Sequence, residues 1–233
     1  MIVSMTSDTS PSSPVKLADQ PGAPHSYLSK HRIEALTDGI FAVAMTLLVI
    51  ELKIGEHGDI ATAAQLQHAL VALIPKALAW VISFFVLSFF WLGHNRLFQH
   101  VRHVNGRLLW PNIMMLAAAS LMPFSSALVG QYTGSFVSQC FYAGNLAVLA
   151  LAALWTLFIA RNTPALMNAP LATSMYVASR FRLGSLVALC AAAVVVAWFA
   201  PPFATMVFAS MPFLGYVSRR LAAKAEAEEG LAA

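Results

Sequence analysis

The chain has 233 residues, of which 59% are hydrophobic and 10% charged, with a formal net charge of +4 and a mean hydropathy of +0.70. Soluble domains run at roughly 45–50% apolar and about 25% charged residues. The deficit of charge excludes an ordinary water-soluble enzyme, a disordered chain and a basic nucleic-acid binder, and leaves an integral membrane protein.

Residues 1–29 are rich in Ser, Pro, Asp and Thr. No basic start leads into an apolar core, so they read as a disordered cytosolic tail rather than a signal peptide. A membrane-crossing helix needs about 20 mainly apolar residues. That length predicts six spans, at 35–52, 70–92, 108–129, 137–160, 183–200 and 203–217. The last two are separated by Pro201-Pro202, because proline lacks the amide donor and clashes with the preceding turn. The resulting domain plan is a tail at 1–29, a six-helix membrane domain at 30–220 and a short polar tail at 221–233. Cys140 and Cys190 both lie in apolar stretches, where they read as small packing residues.

Orientation follows from Lys and Arg in the short loops. Of the 14 such residues, only Lys53 and Lys76 fall on one side of the predicted spans. The other twelve, Arg32, Arg96, Arg107, Arg161, Arg182 and Arg219 among them, fall on the opposite side. Both termini are therefore expected to be cytoplasmic, which requires an even number of crossings.

The first span carries the unusual chemistry. Asp38 stands just inside its apolar run, and a carboxylate at membrane depth normally faces a partner or water. An interfacial position at headgroup level is the plainer alternative. Arg32 is six residues away and off the same face, so any partner comes from another helix or subunit. At 3.6 residues per turn, Val43, Thr46, Leu47 and Ile50 share one side, with Gly39 a turn below; Phe41, Met45, Leu48 and Leu52 lie opposite with Asp38. Around a symmetry axis the first stripe would stack into narrow apolar rings with one ring of hydroxyls, and such constrictions gate and select ions. By composition alone, the plainer reading of the Thr46 hydroxyl is a bond to a carbonyl one turn back in its own helix. At the end of the second span Trp91, His94 and Asn95 share a face, placed either to hold Asp38 or to meet lipid headgroups.

The run Arg32-x-x-x-Leu36-Thr37-Asp38-Gly39-Ile40-Phe41-Ala42, followed by Ala44-Met45-Thr46-Leu47-Leu48-Val49, resembles the signature of the lysosomal potassium channel family, transmembrane protein 175 and its bacterial relatives. The resemblance implies an all-α, six-helix membrane protein of the bacterial inner membrane that assembles as a homotetramer, its pore lined by the first helix. It implies an apolar constriction at Val43, further rings at Leu47 and Ile50, and a selectivity layer at Thr46. A structural network would join Arg32, Leu36, Thr37 and Asp38 to Trp91, His94 and Asn95. The chain departs from the family's Phe-Ser-Asp by reading Leu36-Thr37-Asp38, and carries Asn95 where relatives often have a second His. Potassium, other monovalent cations or protons would be the permeant species, with no cofactor, metal site or nucleic-acid partner.

Two other functions compete. A secondary or proton-coupled transporter would want charged or broken-helix sites near the midplane, whereas the predicted spans are uncharged at mid-depth. A membrane enzyme would want a recognisable constellation, and HExxH, GxSxG and paired intramembrane acids do not occur. The faint echo of a carbonyl filter in Leu128-Val129-Gly130-Gln131-Tyr132 has no pore loop around it and is expected to end the third span.

Overall fold

A computed structural model describes residues 29–54 and 62–232, all of it helix and connecting turns. Apart from Ser29, the expected N-terminal tail falls outside the described residues. The helices in chain order are α1 (Lys30–Ile50), α2 (Ala63–Ala72), α3 (Ile74–Gln99), α4 (Gly106–Ser120), α5 (Met122–Gln131), α6 (Phe136–Asn162), α7 (Thr173–Phe199), α8 (Pro201–Ala204) and α9 (Met211–Ala232). Short 3-10 segments lie at Pro164–Leu166 and Thr205–Ser210. Five helical stretches are long and apolar enough to cross a membrane: α1, α3, α4 with α5, α6 and α7. The chain is a multi-pass membrane protein.

Prolines set most of the departures from the predicted boundaries. The expected second span at 70–92 is cut at Leu73 by Pro75, and its first residues belong to the separate helix α2. Helix α2 starts on a reciprocal cap: the Gln65 amide donates to the Thr62 hydroxyl, and the Thr62 amide to Gln65 Oε1. Pro123 divides the third span into α4 and α5 at Leu121. In both places proline, at the second position of the new helix, withholds an N–H and its ring crowds the turn before it.

The expected fifth span, 183–200, begins ten residues earlier in the structure. Helix α7 opens at Thr173, just after Pro170, so Arg180 and Arg182 lie inside a helix and not in a loop. The expected sixth span, 203–217, is a broken segment: α8, a 3-10 stretch and then α9, with Pro202 and Pro212 at the starts of the two α-helices. Helix α9 runs on to Ala232, so no break in helix separates residues 220 and 221.

The core is a bundle in which α1 packs on α3, α4 and α5, α6 packs on α4, α5 and α7, and α9 closes against α7. Its centre is apolar, with Phe41, Leu48, Leu87, Met115, Leu146 and Leu149 all but inaccessible. Ser83 donates to Ser126 Oγ at 2.9 Å and lies 3.0 Å from the Tyr142 hydroxyl, tying α3, α5 and α6 together. Asn145 of α6 donates to the Ala118 carbonyl and to Ser125 Oγ. In this apolar interior such bonds spare polar groups the cost of burial without partners. Gly130 sits against α3 so closely that a β-carbon there would lie 3.0 Å from Lys76 Cα. That glycine is the close-approach point at the end of α5, and residues 128–132 form a helix terminus as expected.

A second, smaller apolar cluster fixes the other end of the bundle. Ile33 of α1, Phe98 of α3, Leu108 of α4 and Leu157 of α6 pack there with Met167 and Leu171. The loops join by a bridge between Val101 and Met167. This is the end that gathers Arg32, Arg96, Arg107 and Arg161, whereas Lys76 stands beside Glu51 and Gln131 at the opposite end. Cys140 and Cys190 are free thiols, the second buried.

Candidate functional site

Helix α1 has two distinct faces. Ile33, Thr37, Phe41, Ala44 and Leu48 recur at helical spacing and are all buried against the bundle. The other face touches little: Leu36 is 54% exposed, Val43 57%, Leu47 41% and Ile50 55%. Gly39 and Thr46 are exposed with them. The stripe of Val43, Thr46, Leu47 and Ile50 is thus left unpacked by its own chain along its whole length. The Thr46 hydroxyl donates to the Val43 carbonyl at 2.8 Å. That bond uses the hydroxyl hydrogen and leaves the oxygen lone pairs free to accept. An apolar groove of about 360 Å³ runs beside the stripe, bounded by Leu36, Val43, Leu47 and, from α4, Ser120.

At the basic end of the bundle the indole Nε1 of Trp91 donates to Asp38 Oδ1 at 2.8 Å. The carboxylate is exposed on the flank of α1, between the buried face and the open stripe. One turn along α3, His94 Nε2 donates to Asn112 Oδ1 at 2.9 Å, and Asn112 Nδ2 reaches Thr37 Oγ1 at 3.5 Å. All three of those side chains are buried, and the His94 ring stacks on Phe98 with centroids 3.9 Å apart.

The structure therefore brings together four residues of the expected network, Thr37, Asp38, Trp91 and His94. It leaves out the other three. Leu36 lies on the open stripe, Arg32 is exposed, and Asn95 borders a cavity of about 280 Å³ with Glu34 and Asp38. Neither Arg32 nor Asn95 makes a side-chain hydrogen bond or ion pair among the described residues. Asn112 was not singled out from the sequence. Its signal is a lone amide inside the apolar third span, where a polar group needs a partner.

Removing either partner of the Asp38–Trp91 bond is expected to lower thermal stability in detergent. Hydrogen bonds to a charged group contribute about 1.5–3 kcal/mol, and exposure at the rim puts this one at or below the lower figure. Asp38→Ala and Trp91→Phe should be non-additive, the double variant no less stable than the weaker single. Additive losses in a double-mutant cycle would show that the two groups act separately.

Residues 32–123 match the family described as the endosomal/lysosomal potassium channel TMEM175. A potassium channel of Chryseobacterium sp. (strain P1-3) is 37% identical over 103 residues, which are 44% of this chain and 50% of that protein. The human endosomal/lysosomal proton channel TMEM175 is 32% identical over 120 residues, 49% of this chain and 23% of that protein. The aligned part of the chain thus spans about half of the bacterial relative's length and under a quarter of the human one's. The crystal structure of a lysosomal potassium-selective channel TMEM175 homologue from Chamaesiphon minutus superposes with a TM-score of 0.64 at 24% identity, covering 81% of this chain and 97% of that one. That likeness is one of fold.

Proposed function

Because residues 32–123 match the TMEM175 family, we propose that the chain is a member of it and a potassium-preferring, weakly selective cation channel of the bacterial cell membrane, made by four copies around an axis that α1 lines. The observation that carries the reading is the open stripe of α1, whose opposite face is fully packed. In a tetramer this stripe would enclose the axis. Val43, Leu47 and Ile50 then form apolar collars spread over about 10 Å at 1.5 Å per residue, with the Thr46 hydroxyl oxygens between them as acceptors for a partly dehydrated cation. In this reading both termini are cytoplasmic, which the distribution of Lys and Arg favours, and the broken segment from Pro201 into α9 would be the sixth crossing.

Recordings from the purified protein in planar bilayers test this. Bi-ionic potassium and sodium solutions give the permeability ratio from the reversal potential. Thr46→Ala should lower the preference for potassium without altering assembly; an unchanged ratio would confine the hydroxyl to its bond with Val43. Val43→Leu narrows the first collar and should raise selectivity and lower the leak. A ratio insensitive to that change removes Val43 from the constriction. The proton named for the human relative makes a pH gradient the natural third condition: a shift in reversal potential would add protons to the permeant ions. Flux that runs uphill at the expense of another gradient would replace the channel with a coupled transporter.

A further inference from the structure

Away from α1, at the basic end of the bundle, α3, α7 and α9 enclose a cavity of about 380 Å³. Arg96 and His100 enter it from the end of α3, Arg182 from α7 and Arg219 from α9; no Asp or Glu lines it among the described residues. Arg182 is half-buried. The room for its guanidinium comes from Gly93, since a β-carbon there would lie 2.9 Å from Arg182 Nη2. Arg96 stands near enough to repel it. Among the described residues Arg96, Arg182 and Arg219 make no side-chain hydrogen bond or ion pair, whereas Arg161 donates to the Leu171 carbonyl and Arg220 lies over the Tyr216 ring. Three guanidinium groups on one cavity with no counter-charge among the described residues, one of them drawn into the bundle, are costly unless an anion joins them.

The deeper walls are apolar, formed by Phe89, Leu186, Met211 and Leu214. A site with cations at the membrane boundary and hydrocarbon behind them matches an amphiphile better than a free ion. We propose that this cavity binds the phosphate headgroup of an anionic phospholipid, with Arg96, Arg182 and Arg219 as its ligands and an acyl chain against Phe89 and Met211. Guanidinium forks suit phosphate oxygens, and basic pockets between membrane helices on the cytoplasmic side bind anionic headgroups. The inference needs only the membrane fold and is independent of conduction.

Thermal unfolding of the full, delipidated chain in detergent tests it, with phosphatidylglycerol, phosphatidylcholine of the same acyl chains, and inorganic phosphate added in turn. Phosphatidylglycerol should raise the midpoint and the other two should not. Arg182→Gln should raise the phosphatidylglycerol concentration needed for a given rise by roughly fivefold, and Arg96→Gln with Arg219→Gln by roughly 25-fold, at about 1 kcal/mol per basic residue. Arg180→Gln, exposed on α7 and outside the cavity, should leave it unchanged. Should Arg182→Gln fail to fold, the double variant, whose residues are both exposed, reads the same site. An equal response to phosphatidylcholine, or full responses from the variants, would overturn the proposal. A matching response to inorganic phosphate would overturn the lipid as the source of the anion.

Discussion

Asn112→Leu is expected to destabilise the folded chain by about 1–3 kcal/mol, because it strips a buried imidazole N–H of its acceptor while leaving the imidazole in place. Asn112 is the hinge of a three-helix contact: it accepts from His94 of α3 at 2.9 Å and reaches Thr37 of α1 at 3.5 Å. The two contacts are unequal. At 3.5 Å the bond to Thr37 is weak, and a threonine hydroxyl within a helix can turn to a carbonyl of the preceding turn instead. His94 has no such local exit, so the loss falls on it. The prediction sharpens when both polar partners go. His94→Phe keeps the ring that stacks on Phe98, and combined with Asn112→Leu it removes donor and acceptor together. Such paired apolar replacements can be nearly neutral, so the double variant should recover most of the stability that Asn112→Leu alone loses. Unfolding followed by circular dichroism in mild detergent measures all three. A double variant as unstable as the sum of its singles would mean that packing volume, not the hydrogen bond, governs this contact.

The same residues show what the sequence made legible. Hydropathy and length locate five crossings, and the position of Lys and Arg sorts one end of the bundle from the other, because the bilayer imposes both on any chain. The Trp91–Asp38 bond was readable too: an acid inside an apolar run needs a donor, and Trp91 and His94 share a helical face at the right depth. Which donor takes the acid is a tertiary question, and the answer depends on Asn112, distant in sequence and brought in by the packing of α4 against α1. Helix boundaries failed where one signal stood for two causes. Arg180 and Arg182 resemble loop residues by charge, yet a long arginine side chain can leave an apolar helix toward a polar boundary or pocket, and α7 continues past both. The prolines at 75 and 123 were visible, but a hydropathy window averages over them. The open stripe of α1 was legible as periodicity alone; whether it meets lipid or an aqueous axis is decided by a neighbouring copy, outside any one chain.

That choice has a direct test. In a background with Cys140→Ala and Cys190→Ala, Leu47→Cys should conduct until a small cationic thiol reagent reaches it from the bath, and then lose nearly all current. The argument is electrostatic. A fixed positive charge about 4 Å from the ion path opposes a cation by about 4 kcal/mol at an effective dielectric of 20, roughly a thousandfold in occupancy, and a tetramer places up to four such charges in one collar. Two controls separate an aqueous axis from simple exposure. Phe41→Cys lies on the buried face of α1, where the native ring has no accessible surface, and should not react. Trp198→Cys sits on α7 at a position 72% exposed in the single chain; facing lipid, it would stay a thiol and be shielded from a charged reagent, since only the thiolate is nucleophilic. Block at Leu47 with silence at both controls would require water beside that stripe. Equal inertness at Leu47 and Trp198 would turn the stripe toward lipid and move the pore to another helix.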